Sequence, residues 1–594
     1  MKSLDGGKGH AESAGRPRMI TFHADPKIAE QQMQAVIFYL TAFGHIDGNF
    51  DRAEKVYVRD YVGKLVLGRA RAVLGDDRLD AHYPDIERTI EHFHLVIDET
   101  QRQIESLFTE SVAEGESTEQ FVLAKLKLRC FELFRRFDDH TRSELLASVD
   151  ELMFADGTAH PAETAFRREL YHLLFEPIEI DDADLDEVEL ASVELASADL
   201  EQVEPGLVII GAPAKLQPVR PDHPFFRDFE HPYAKDREAF AVQAQADMAL
   251  MDRFLAALEV QRAAGAGKLA GAADFDAFPA GTRFLDGHVF VDRPDPGERR
   301  ELLVIGDLHG CYSCLKAALL QADFFGKLQA WQADPGKHAR PSVVLLGDYI
   351  DRGRFSYHGV LRTVMQLFIA APDHIYPLRG NHEYYVEING RVLAPVRPCE
   401  AMNDIKDVAP TEVFARYMRL FEALPTSLAF DRTLFVHAGI PREDTIAEKF
   451  TGPASLNDPD VRFQMLWSDP SDADVIPLDL QKANARFPFG RKQLRSFLSR
   501  LGLRTLVRGH ESVQEGFKVV YDDPDATLIT LFSAGGATNE DLPPEASYRK
   551  VTPMALTIRH EAGVSEVVPF AIDYARYNDP EYNAFFREAL SVPR

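Results

Sequence analysis

The chain has 594 residues, too many for one ordinary hydrophobic core, so two or three domains are expected. A net charge of −28 excludes a nucleic-acid binder built on clustered Lys and Arg, and any anionic substrate must be drawn in by a local positive site against the global field. No apolar run is long enough to span a bilayer, residues 1–18 hold no apolar segment of a secretory leader, and four scattered cysteines make no disulfide framework, so the cytoplasm is the expected compartment.

Residues 1–25 are polar and Gly-rich and read as disordered. Residues 26–176 read as an all-helical domain, with Met33, Val36, Ile37, Leu40 and Phe43 at helical spacing and Phe121, Leu128, Phe131 and Phe134 set among Lys and Arg. Two stretches inside it echo each other. His45-Ile46-Asp47-Gly48 is followed by Glu54, and Phe154-Ala155-Asp156-Gly157 by Glu163, each Glu seven positions after its Asp. One reading is local: Asp-Gly ends a helix and a Glu in the next first turn suits the helix dipole. The other gathers Asp47, Glu54, Asp156 and Glu163 into a cation site. The paired elements resemble the tellurite-resistance TerB-like helical domain over about residues 30–176.

Residues 177–205 form an acidic stretch without Lys or Arg, with a short five-residue repeat centred on Leu185, Leu190, Leu195 and Leu200. It reads as a linker, or as a string of carboxylates competing with phosphate for a positive pocket. Residues 206–283 read as a connector: Pro-rich to Pro232, strongly helical from Asp236 to Ala264, then a Gly/Ala-rich linker from Gly265 to Gly281. A catalytic domain is expected over 284–575, with Phe284–Val291 as its first strand, and a tail over 576–594.

The chemistry lies in that domain. Leu302-Leu303-Val304-Ile305 precedes Gly306-Asp307-Leu308-His309-Gly310, and Val343-Val344-Leu345-Leu346 precedes Gly347-Asp348-Tyr349-Ile350-Asp351-Arg352-Gly353. Gly380-Asn381-His382-Glu383 follows, then Thr433–Val436 ahead of His437-Ala438-Gly439, then Thr505–Val507 ahead of Arg508-Gly509-His510. A buried strand that stops at a Gly and then presents Asp, His or Asn offers metal ligands from a strand end. A pair of divalent ions needs several ligands and a shared carboxylate. Asp307, His309, Asp348, Asn381, His437 and His510 supply that inventory, and its mixture of imidazole and oxygen suits manganese, iron or zinc better than calcium or magnesium. Singly, Asp351-Arg352 reads as a surface ion pair and His437 as a core histidine; the ordered set reverses both readings.

The ordered clusters and Leu466-Trp467-Ser468-Asp469-Pro470 resemble the phosphoprotein phosphatases, metal-dependent enzymes related to calcineurin, over about residues 300–560. The resemblance implies an α/β sandwich of two mixed sheets flanked by helices, with metals at strand ends. It implies one ion on Asp307, His309 and Asp348, and a second on Asp348, Asn381, His437 and His510. His382 becomes the general acid, oriented and kept charged by Asp351, with Arg352 and Arg508 clamping the phosphoryl group. The implied activity is hydrolysis of phosphoserine or phosphothreonine in proteins, with the helical half docking a protein partner. Dinucleoside polyphosphate hydrolysis is the alternative, and a metal-stress sensor or scaffold acting through the helical half is the second.

Departures from the family pattern carry their own expectations. Gly326–Pro341 is extra and reads as a surface loop. Phe532-Ser533-Ala534 leads into Gly535-Gly536, without the tyrosine that borders the pocket in eukaryotic members. Cys311 and Cys314 have redox-like spacing but no second pair, so ordinary packing is expected. The Ala- and Arg-rich composition points to a bacterial source.

Overall fold

The computed structural model describes residues 20, 22–46, 50, 52–108, 110, 112, 116–152, 160–175, 207–209 and 216–587. The acidic stretch at 177–205, Asp47, Asp156 and most of residues 1–25 lie outside them. Of the four expected cation ligands, only Glu54 and Glu163 are placed. Glu163 serves the helix start: its Oε2 accepts from the His160 N–H at 2.7 Å.

The described residues form two compact units, one helical and one containing both sheets, and the short segment Glu110–Ser117 groups with the latter. The helical unit carries α1 (Pro26–Phe43), α2 (Arg52–Leu74), α3 (Tyr83–Leu107), α4 (Thr118–Phe134), α5 (Asp139–Leu152) and α6 (Pro161–Phe175). Asp25 caps α1 by accepting from the N–H groups of Lys27 and Ile28, and Pro26 occupies the first turn, where no amide donor is needed. The apolar positions read from the periodicity, Met33, Val36, Ile37, Leu40 and Phe43, are all buried. Tyr39 meets Phe134 of α4 edge-to-face with ring centroids 4.6 Å apart.

The second unit holds β1 (Leu207–Ile209), β2 (Arg283–Asp286), β3 (Val289–Asp292), β4 (Arg300–Ile305), β5 (Arg340–Leu345), β6 (Ile375–Pro377), β7 (Val386–Ile388), β8 (Arg391–Leu393), β9 (Ser427–Phe430), β10 (Thr433–Val436), β11 (Asp469–Pro470), β12 (Pro488–Phe489), β13 (Thr505–Arg508), β14 (Phe517–Tyr521), β15 (Thr527–Leu531), β16 (Met554–Glu561) and β17 (Val564–Ala571). One mixed sheet runs β1-β17-β16-β4-β5-β6 and the other β14-β15-β13-β10-β9-β3-β2. β4, β5 and β6 are parallel, as are β10, β13 and β15, so their C-terminal ends deliver successive loops to the same end of each sheet. The expected sandwich of two mixed sheets is observed.

Local differences have local causes. Phe284–Val291 is a hairpin of β2 and β3 rather than one strand, because Gly287 adopts φ +59° and turns the chain. Gly326–Pro341 is not a loop: helix Phe324–Ala333 covers its first half and β5 begins at Arg340. The Gly/Ala stretch after residue 265 is anchored in the core by Leu269 and Phe275, which a reading of composition missed. Helix Arg237–Gly265 forms as expected, capped by Asp236, and buries Phe240, Leu250, Met251, Phe254 and Leu258 in a core to which both sheets contribute. The four cysteines are buried and free.

Candidate metal centre

Each expected ligand sits immediately beyond a buried strand. Asp307 follows β4, Asp348 follows β5, Asn381 and His382 follow β6, His437 follows β10, and His510 follows β13. The loops are held by hydrogen bonds to their backbone groups. Asp348 O accepts from the N–H groups of Leu308 and His309 at 3.1 and 2.8 Å, which joins the first two loops. Glu383 binds the second: its carboxylate accepts from the N–H groups of Asp348, Tyr349 and Gly380 at 2.8, 2.8 and 2.9 Å. Gly347 has φ +103°, and a Cβ there would lie 2.3 Å from Gly380 N, so only glycine lets these loops touch. Nine non-glycine residues among the described ones have positive φ, and five of them are His309, Asp348, Asp351, Arg352 and His510. Backbone strain is concentrated at this centre.

The side chains converge on Asp348. His309 Nε2 lies 3.4 Å from Asp348 Oδ2, and His437 Nε2 lies 3.5 Å from Asp348 Oδ1. The Asn381 amide faces His437 Nε2 at 2.9 Å and His510 Nδ1 at 3.1 Å. Two groups could each hold a cation: His309, Asp348 and His382; and Asp348, His437 and His510. Asp348 belongs to both. Asp307 stands at the edge of the first group, with Oδ2 3.9 Å from His309 Nε2 and the carboxylate accepting from the His510 N–H at 2.9 Å.

The electrostatics of this donor set fit divalent cations. Burial pushes Asp307 up to about 7, and burial together with the Asp307 and Glu383 carboxylates pushes Asp348 well above its ordinary value. Burial holds His309, His437 and His510 well below the usual imidazole range, so their ring nitrogens are lone-pair donors. Repelling carboxylates beside neutral imidazoles in a buried centre are stabilised by positive charge. His510 Nε2 is buried with no hydrogen-bond partner.

Around this centre, His382 Nδ1 lies 2.7 Å from Asp351 Oδ2, and Asp351 Oδ1 accepts from the Ala401 N–H at 2.9 Å. Burial, then Arg352 and Arg486, hold His382 below its usual range, while burial pushes Asp351 up to about 7. Arg352 lies over the Tyr548 ring at 5.2 Å, and Tyr548 stacks on His309 at 5.3 Å. A tyrosine does line the site, arriving sixteen residues after Phe532 instead of within the Phe532–Thr538 stretch.

Arg508, expected as a phosphoryl clamp, already has partners of its own. Arg508 spends its guanidinium on the wall: Nε donates to Ala438 O, Nη2 to Asp469 Oδ1 at 2.8 Å and Nη1 to Glu511 at 2.7 Å. Arg486, which no motif singled out, donates from Nε to Asp469 Oδ2 at 2.7 Å and from Nη1 to Glu110 Oε2 at 2.6 Å. Its charge is felt by both His382 and His510.

Residues 301–514 match the calcineurin-like phosphoesterase family. This segment is a calcineurin-like phosphoesterase domain. The chain is 29% identical over 242 residues to a probable serine/threonine-protein phosphatase of Encephalitozoon cuniculi, covering 39% of this chain and 47% of the relative. It is 28% identical over 272 residues to the serine/threonine-protein phosphatase BSL2 of Arabidopsis thaliana, covering 42% of this chain and 25% of the relative. The chain thus spans half or less of the length of these curated relatives. The solved structure of a Saccharomyces cerevisiae protein serine/threonine phosphatase with similarity to human phosphatase PP5 aligns with TM-score 0.37 and 16% identity, covering 55% of this chain and 89% of the other. The phosphoesterase domain contains Asp307, His309, Asp348, Asn381, His437 and His510, whereas Tyr548 lies beyond it. No helix among the described residues is long and apolar enough to cross a membrane.

Proposed function

We propose that the chain is a metal-dependent phosphatase acting on phosphoserine and phosphothreonine in proteins. The observation that carries the reading is Asp348, shared by two buried His/Asp groups, beside the His382–Asp351 pair. Asp307, His309 and Asp348 would hold one divalent cation, and Asp348, Asn381, His437 and His510 the other, with manganese, iron or zinc suiting the donors. Such cations supply Lewis acidity at the phosphoryl oxygens and water acidic enough to attack phosphorus near neutral pH.

The chain's own groups do the rest. The guanidinium groups of Arg352 and Arg486 receive the non-bridging oxygens, where planar donor pairs match phosphate geometry. Asp469 holds Arg486 in place from behind, together with Arg508. His382, charged once the phosphoryl dianion is bound, delivers a proton to the leaving serine or threonine oxygen. Asp351 holds the ring through Nδ1 and stabilises its charged form. The helical unit, whose paired Asp-Gly…Glu elements resemble TerB-like domains in sequence alone, is read as a module that docks a protein partner.

The test is hydrolysis by the purified full chain, with manganese, of a phosphoserine peptide against diadenosine tetraphosphate. Preference for the peptide supports the reading. Preference for the dinucleotide replaces it, and no turnover of either favours a scaffold.

A further inference from the structure

The strands that end at the metal centre begin at a second concentration of charge. Arg300 opens β4, Arg340 opens β5, His374 precedes β6, and Arg283 opens β2 in the other sheet. Asp348 follows Arg340 by eight residues, on the order of 25 Å of extended chain, and the two clusters share no residue.

Charge in this second cluster is unevenly paired. Asp292, buried at the end of β3, receives both terminal nitrogens of Arg300, the Tyr376 hydroxyl at 2.5 Å and, as an ion pair, Arg283 Nε at 3.3 Å. Glu298 faces the same Arg300 at 3.2 Å. Arg340 has no carboxylate partner among the described residues. Its Nη2 donates to the Asp373 carbonyl at 3.0 Å, its guanidinium lies over the Trp331 ring at 5.0 Å, and its Nε is buried with no hydrogen-bond partner. Burial, with Arg283 and Arg300 alongside, lowers the pKa of Arg340. His374 donates no charge: its Nδ1 is 2.6 Å from Pro341 O, and burial holds it below the usual imidazole range.

A cavity of about 550 Å³ is lined by Arg283, Arg340, Trp331, Gln332, His374 and the one acid, Asp373, whose carbonyl already holds Arg340. We propose that this cavity binds a phosphate group, held by Arg340 and Arg283, at a site separate from the metal centre. Guanidinium edges form paired charge-assisted hydrogen bonds to phosphate oxygens, and Arg340, which no carboxylate pairs among the described residues, offers such an edge beside Arg283. In a chain of net charge −28, an arginine left without a carboxylate partner is where an anion finds a local positive contact. Binding here does not rest on the proposed activity. That activity names two sources of the same chemistry: released orthophosphate, and a second phosphorylated side chain on a substrate.

Calorimetric titration of the full chain with orthophosphate, and separately with singly and doubly phosphorylated peptides, tests this. Arg340→Gln should weaken one binding event by at least about tenfold and leave the other intact. Trp331 supplies a second readout: in a Trp467→Phe background, which removes the other tryptophan beside His510, its fluorescence should change on filling the site, and should not once Arg340→Gln is added. Arg340→Lys, which keeps the charge but loses the paired edge, should fall between them and guards against misfolding of the glutamine variant. A second site filled by orthophosphate identifies the free ion; one filled only by the doubly phosphorylated peptide identifies substrate. A single phosphate site in the wild type, none tighter than about 10 mM outside the metal centre, or unchanged binding in both variants overturns the proposal.

Discussion

His382 Nδ1 and Asp351 Oδ2 lie 2.7 Å apart, although they leave the ends of different strands. The second Asp351 oxygen is occupied by the Ala401 N–H at 2.9 Å, so the carboxylate cannot turn away. Asp351→Asn keeps the shape and removes the charge that stabilises the protonated ring. We expect kcat on a phosphoserine peptide to fall by about 10²-fold or more, with KM little changed. The loss should be much smaller on p-nitrophenyl phosphate, whose leaving group needs no proton. Equal losses on the two substrates would remove His382 from the role of acid.

Asp348 is common to both cation groups, whereas His437 belongs to one. After reconstitution with manganese, elemental analysis should find the wild type with twice the metal of His437→Ala. Asp348→Asn should retain almost none. Full occupancy in Asp348→Asn would contradict a shared carboxylate. Chelation should silence the wild type, with recovery on adding manganese back.

Arg486 is held between Asp469 and Glu110. Glu110 competes with a phosphoryl group for the same donor, so Glu110→Gln should lower KM. The Glu110 side chain is 36% exposed, which limits the effect to about 1 kcal/mol, or roughly fivefold. A raised or unchanged KM would show that Glu110 supports Arg486 rather than masking it.

Gly347→Ala places a Cβ 2.3 Å from Gly380 N at a positive-φ position. The loops carrying Asp348 and Asn381 must then separate. Stability should fall by about 2–4 kcal/mol in urea unfolding, with metal affinity falling in parallel. A stability loss without any change in metal binding would show that the ligands adjust independently of this contact.

Asp541 is buried, accepts from the Ser313 N–H at 2.6 Å and from its hydroxyl at 3.0 Å, and is pushed by burial from 3.8 up to about 7. The folded state therefore holds this proton more tightly than the unfolded state. The contribution is fully present below pH 4 and is lost as pH rises through about 7. Relative to Asp541→Asn, wild-type stability should decline over that window by a few kcal/mol, at up to about 1.4 per pH unit. Parallel stability curves for the two proteins would show that Asp541 titrates normally.

The six candidate ligands were legible because each follows a local signal, a buried apolar strand closed by glycine or a polar turn. The amphipathic stripe of α1, the strands at 302–305 and 343–345 and the long helix after Asp236 were legible for the same reason: spacing along the chain dictates which face is buried. The β2–β3 hairpin and the helix at 324–333 were not, because short apolar runs leave turn and helix undecided until neighbouring strands claim them. The direction of a guanidinium was beyond reach altogether. Arg508 follows a motif strand yet faces Asp469 and Glu511, while Arg486 reaches the site through Asp469 and through Glu110, 376 residues away in sequence. Tyr548 likewise reaches His309 from outside the expected stretch. Strand-end ligands are determined by nearest-neighbour patterning, which the sequence carries by itself. Long side chains point where distant partners neutralise them, and only the tertiary structure brings those partners together.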